Sequence, residues 1–135
     1  MEATRILPDL QCTLPCEDIR REANGNVILI GIFTLIPLPK FPFVAPKLCV
    51  FNRWTNGLGN CTESVRFLAP DRETVLGEVS TQFELKTPEA NATTGALFGN
   101  VRLETPGTYW FEVSVDDVLK LRYPLIVMEV RSDQE

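Results

Sequence analysis

Apolar and polar residues alternate singly along much of this chain. In "YWFEVSV" (109–115), Tyr109, Phe111, Val113 and Val115 hold one phase, and Trp110, Glu112 and Ser114 the other. A period of two belongs to a strand with one face on a core and the other toward solvent. Alternating or β-branched runs recur near 9–14, 16–22, 26–36, 46–54, 62–69, 74–86, 96–104, 107–116 and 118–130. No window repeats apolar residues at i, i+3, i+4 and i+7 through three turns, so little or no helix is expected. Short strands broken by frequent turn signals predict an all-β sandwich or barrel of seven to nine strands.

The connections sharpen this. Asn24-Gly25 between two strand-like runs predicts a two-residue type I′ hairpin, because both central positions need positive φ. "PLPKFPFVAP" (37–46) holds four prolines and reads as an extended crossing outside any ladder. "TNGLGN" (55–60), "PDRE" (70–73) and Asp116-Asp117 carry turn chemistry, and "KTPEANATTG" (86–95) reads as the longest polar loop. The apolar phase after Pro124 passes from Leu121 and Tyr123 to Ile126, Met128 and Val130, which predicts a bulge there. The closing "RSDQE" reads as a tail. Pro106-Gly107-x-Tyr109 ahead of the penultimate strand is similar to immunoglobulin-like sandwiches, where such a tyrosine sits at a sheet corner. The prediction is one immunoglobulin-like antiparallel β-sandwich domain spanning 1–135.

The hairpin "CEDIRREANGNVILIGIF" (16–33) carries the densest information. Paired across a two-residue loop, Glu22 faces Val27, Arg20 faces Leu29, Asp18 faces Gly31 and Cys16 faces Phe33. Ile19, Ile28, Ile30 and Ile32 then form the core stripe, and the opposite face mixes Asp18, Arg20 and Glu22 with Val27, Leu29 and Phe33. Leu29 and Phe33 need a cover, from the proline-rich crossing or from a second subunit. A glycine inside a strand implies a close approach, so Gly31 predicts that Asp18 or an arginine folds over it. Asp18 and Arg20 are expected to form a polar lock between the hairpin and another loop.

Composition narrows the chemistry. The net charge of −5 and the scattered basic residues argue against a nucleic-acid partner. No apolar stretch is long enough to span a membrane as a helix. The acidic amino-terminal stretch lacks the basic start of a signal peptide, so a cytoplasmic protein is expected. Its four cysteines then stay reduced, and Cys12, Cys16, Cys49 and Cys61 read as small core residues and not as a metal site. The chain has no histidine, which removes histidine triads together with the commonest general base and metal ligand. Phosphate-cradling glycine motifs are missing as well. Glu17 and Asp18 are strand neighbours on opposite faces, not the convergent carboxylate pair of a glycosidase. No cofactor and no metal are expected.

The block Cys16, Glu17, Asp18, Ile19, Arg20, Glu22, Gly25, Leu29, Ile30, Gly31, Ile32 and Phe33 resembles the opening of an uncharacterised bacterial family of small cytosolic single-domain proteins. The likeness runs on through Pro46, Leu48, Cys49 and Phe51 to Pro106-Gly107-x-Tyr109. It implies a β-sandwich and no assigned activity. Asn26 and Ile28 stand where the family pattern has Lys and Ser, which makes this hairpin more apolar.

These readings favour a non-enzymatic interaction or structural module, self-associating as a homo-oligomer or binding a protein partner through a sheet face (Val27, Leu29, Phe33) or an edge strand. The alternative is a small-molecule or carbohydrate-binding sandwich using Trp54, Trp110 and the loops beside them. A third class, weaker than either, is an enzyme built on carboxylates or on Cys16 as nucleophile. Asp18, Arg20, Gly31, Leu29, Phe33, Trp54 and Trp110 are the candidate structural or interaction residues.

Overall fold

The structure, a computed structural model, describes residues 4–131. Of the tail expected at 131–135, all but Arg131 lies outside them. Nine strands follow in order: β1 (Asp9–Arg21), β2 (Val27–Ile32), β3 (Leu35–Leu38), β4 (Phe43–Thr55), β5 (Gly59–Leu68), β6 (Val75–Leu85), β7 (Asn91–Leu103), β8 (Gly107–Val115) and β9 (Val118–Glu129). They form a four-stranded sheet, β2-β1-β4-β7, packed on a five-stranded sheet, β3-β9-β8-β5-β6. The neighbours β1-β4-β7 and β6-β5-β8-β9 reproduce the A-B-E and C′-C-F-G strand arrangement of immunoglobulin-like sandwiches. No helix among the described residues is long and apolar enough to cross a membrane.

Strand alternation fills the space between the sheets. Val65 and Phe67 on β5, Phe111, Val113 and Val115 on β8, and Leu125 and Val127 on β9 meet Leu48, Val50 and Trp54 on β4 and Ala96 and Phe98 on β7. Phe67 is the hub of an aromatic cluster, with ring centroids 4.7 Å from Phe111, 5.6 Å from Tyr109 and 6.3 Å from Phe98. These separations favour offset and tilted pairs, whose ring quadrupoles add to the gain from burial. Tyr109 is 1% exposed, and its hydroxyl donates to the Thr105 carbonyl at 2.7 Å. This is the sheet-corner tyrosine that Pro106-Gly107-x-Tyr109 announces.

Across the outer face of the larger sheet runs a charge ladder. Glu78, Arg66, Glu112 and Arg122 stand in register on β6, β5, β8 and β9. Arg122 donates to Glu112 at 2.6 and 2.9 Å, and Arg66 lies 3.6 Å from Glu112 and 4.0 Å from Glu78. Alternating signs on directly opposed positions favour this register over slipped ones.

Several local expectations change. The sandwich is not wholly antiparallel, because β3 runs parallel to β9 from Leu35↔Ile126 to Leu38↔Glu129. The chain leaves β2 and crosses to the second sheet without reversing, so it docks on the last strand in the same direction. The proline-rich stretch is therefore not outside the ladders: Pro37 lies in β3, and Phe43 to Pro46 begin β4. Pro46 falls at the gap in the β4–β7 register opposite Asn100, whose φ is +52°. Both strands change phase there, so the missing N–H and the left-handed residue share one irregularity. The polar loop shrinks to residues 86–90, because Asn91 to Gly95 are already paired in β7. The bulge expected at Pro124 lies instead between Val113 and Ser114, where Leu121 and Leu119 are the successive partners. Leu125 and Val127 stay in phase with Tyr123, and Ile126 and Met128 point outward, 50% and 39% exposed.

Candidate functional site

The first half of β1 pairs with β4, from Asp9↔Thr55 to Cys16↔Cys49, and its second half pairs with β2. Beyond Cys16 the hairpin is therefore a two-stranded ribbon that leaves the sheet and lies against the outer face of β4 and β7, with Ile19 beside Gly95 and the turn beside Phe51, Arg53 and Thr93. Such ribbons are marginal in water unless something ties them down.

The turn has three residues, not two. Glu22 N donates to Asn26 O at 2.8 Å, and Gly25 N donates to Glu22 O at 2.9 Å. Asn24 Oδ1 accepts from Asn26 N at 2.9 Å, and Gly25 has φ +92°. A three-residue loop that ends on a left-handed glycine is the next most common hairpin connection. The extra residue shifts the register by one: Arg21 faces Val27, Arg20 faces Ile28, Ile19 faces Leu29 and Asp18 faces Ile30. A one-residue slip exchanges the two faces of a strand, so every cross-strand pair drawn from a two-residue loop is replaced.

The consequences follow residue by residue. Ile28 and Ile32, assigned to the core stripe, are 41% and 52% exposed. Val27, Leu29 and Ile30 are half-buried. Phe33, expected on the open face with Leu29, instead packs against the inter-sheet core. Gly31 lies under Glu17, not Asp18: a Cβ at residue 31 would sit 2.6 Å from Glu17 Cδ, and its φ is +68°. A left-handed residue ends the regular extended run, which is why Phe33 turns inward.

Asp18 does anchor a polar lock, but within the sheet. Its Oδ1 accepts from Lys47 Nζ on β4 at 2.6 Å and its Oδ2 from Arg20 Nε at 2.9 Å. The hydrogen bonds from Lys47 and then Arg20 hold the carboxyl down to about 2. The lock ties the free ribbon to the strand that β1 has left. Beside it, Ile19 Cδ1 lies 3.0 Å from where a Cβ on Gly95 would be, so the ribbon also leans on β7.

Trp54 and Trp110 part company. Trp54 is fully buried, stacked on Phe83 at 5.6 Å, and its indole N–H donates to Glu63 Oε1 at 2.7 Å. It is not a surface recognition ring. Trp110 points outward, and the Arg72 guanidinium covers it 4.3 Å from the ring centroid. The structure thus brings Asp18, Arg20, Gly31 and Leu29 together on the ribbon and leaves Phe33, Trp54 and Trp110 elsewhere.

One group escapes the sequence reading. Glu63 is fully buried, and its Oε1 also accepts from the Thr94 hydroxyl. Asn52 is fully buried too, in register with Thr94, and its amide has no protein partner. The signal was present in the alternation: Glu63 shares a phase with Cys61, Val65 and Phe67, and Asn52 with Leu48, Val50 and Trp54. A polar residue in an apolar phase marks an interior hydrogen bond.

Cys16, Cys49 and Cys61 are buried, Cys12 is half-buried and all four are free thiols. Burial, with the neighbouring Cys49, pushes the Cys16 thiol up to about 11, and burial raises Cys49 and Cys61 as well. A thiol held neutral in a core is a poor nucleophile. Among the described residues no cluster of carboxylates and thiols has the makings of a metal site.

The strand order, the corner tyrosine and the doubled sheet define an immunoglobulin-like β-sandwich with an added hairpin ribbon. Residues 11–128 match the model of DUF6941, a family of unknown function, and the chain belongs to it. No curated protein matches the chain.

Proposed function

We propose that this protein is a non-enzymatic interaction module that engages another protein chain through its β1–β2 ribbon and the sheet face around it. The observation that carries this reading is the apolar content of β2, which leaves Ile28 and Ile32 facing solvent. Five of the six residues of β2 are aliphatic, and none of them is fully buried. Other exposed aliphatic residues, such as Leu97 and Ile126, stand between fully buried neighbours, whereas β2 has no fully buried residue. An apolar ribbon held at a defined angle by Asp18–Lys47 has the form of a docking element, since exposed apolar patches on soluble domains mark interaction sites. The charged flank of Arg20, Arg21 and Glu22 supplies the polar rim that interfaces carry. Full burial of Trp54 leaves the carbohydrate-binding alternative without half of its aromatic platform.

The test is an Ile28→Glu/Ile32→Glu double variant. Both side chains are largely exposed, so the melting temperature should stay close to that of the parent, while association with any partner recovered by affinity capture should fall at least tenfold. A parent chain that yields no partner, or a partner retained in full by the double variant, overturns the reading.

A further inference from the structure

The sheet edges differ in how they are protected. Natural edge strands avoid unwanted pairing by being short, by carrying charge or proline, or by bulging. Strand β2 is six residues long and broken by the left-handed Gly31. Strand β3 is four residues long and contains Pro37. Strand β6 presents Glu78 and Glu84 on a chain of net charge −5. Strand β7 has none of these devices from Asn91 to Gly99: it is fully registered on β4 and without a proline or a charged residue. Its first irregularity is Asn100.

The outward phase of that stretch is Thr93, Gly95, Leu97 and Gly99. Leu97 is 56% exposed, the most exposed large apolar residue among those described. Beside it, Ile19, Cys49 and Gly95 floor a concavity of about 310 Å³ rimmed by Arg21 and Lys47. A projecting leucine and a glycine-floored hollow thus lie two residues apart on one strand.

We infer that β7 is a self-association edge, pairing antiparallel with β7 of a second copy about a two-fold axis at Ala96. In that register each Leu97 lies opposite the other copy's Gly95 and enters its hollow against Ile19. Thr93 meets Gly99, and the two four-stranded sheets become one of eight strands. A second copy is the occupant because knob and hollow sit on the same strand, as an isologous contact requires. The strand residues that would pair, Asn91 to Gly99, are uncharged, and the charged side chains at the hollow are Asp18, Arg21 and Lys47. The main-chain ladder supplies affinity in the manner of strand addition, and the Leu97–Gly95 fit sets the register. This surface borders the ribbon at Ile19 and Arg21 but does not use Ile28 or Ile32, and it names a partner that the docking reading leaves open.

Light scattering coupled to size exclusion, run on the full chain over a concentration series, tests it. The expected mass is twice the 15.2 kDa of the chain. Leu97→Lys and, separately, Leu97→Ser should halve that mass and give a cooperative unfolding transition whose midpoint no longer rises with concentration, while Ile28→Glu/Ile32→Glu should leave the mass doubled. Amide exchange over residues 91–99 should slow as the dimer fills. A parent chain monomeric up to millimolar concentration overturns the inference, as does a dimer that survives both Leu97 variants. A dimer lost only in the ribbon variant overturns it too, while supporting the docking reading.

Discussion

Gly31→Ala probes the geometry that shapes the ribbon. The substitution has two separable costs. Alanine at φ +68° occupies the left-handed region, at about 1–2 kcal/mol relative to its ordinary conformations. The new Cβ also falls 2.6 Å from Glu17 Cδ, but Glu17 is an exposed, flexible side chain that swings aside at little cost. Backbone strain should therefore dominate, for a net loss of about 1–2 kcal/mol. With a slope of about 2 kcal/mol/M, the urea midpoint should fall by roughly 0.5–1 M. In a domain of this size the melting temperature should fall by about 3–8 °C. A Glu17→Ala/Gly31→Ala cycle separates the causes: the double variant should stay destabilised, with a coupling below about 0.5 kcal/mol. Full recovery in the double variant would refute the strain argument and assign the glycine to the Glu17 contact. An unchanged midpoint in Gly31→Ala would refute the left-handed backbone itself.

The remaining predictions rest on single contacts. Trp54→Phe removes the indole hydrogen bond to the buried Glu63 carboxyl and part of a buried ring, so chemical denaturation should show a loss of about 2–4 kcal/mol. Tyr109→Phe should cost about 1–2 kcal/mol, because it leaves the Thr105 carbonyl without its corner donor, and light scattering should show the association state unchanged. For Asp18→Asn the test is pH. The folded-state carboxyl sits near 2, below the ordinary value of 3.8, so its contribution is fully present above about pH 4 and drains away as pH falls toward 2. Denaturation midpoints of parent and variant should differ by a constant amount near neutrality and converge across that window. A gap that persists at pH 2 would show that the lock does not depend on the charge.

Much of the fold was legible because side-chain alternation is a local property. The inward set on β8, the turn at Asp116-Asp117, the turn at 70–73 and the corner tyrosine all follow from residues within a few positions of one another. The ribbon's chemistry was legible, an apolar strand beside charges and interrupted by a glycine, but the reason for that glycine, a positive φ and not a close approach of Asp18, was not. Nor was the ribbon's pairing. Asn24-Gly25 is compatible with a two-residue and a three-residue loop, and the choice rests on backbone hydrogen bonds among Glu22, Gly25 and Asn26. Once that register moved by one, every face assignment on the ribbon moved with it.

By itself, then, the sequence determined strand content, the single sandwich, most turns and the chemical character of each segment, since these depend on period, propensity and turn chemistry. Tertiary structure alone decided which apolar residues are covered. Trp54 is buried because Glu63, itself held by the Thr94 hydroxyl, arrives from another strand to accept from its N–H, and Phe33 because Gly31 redirects the chain toward the core. Ile28, Ile32 and Leu97 stay outside because their side chains point away from the packed layers. Burial is a property of neighbours distant in sequence, and a period-two pattern carries no information about them.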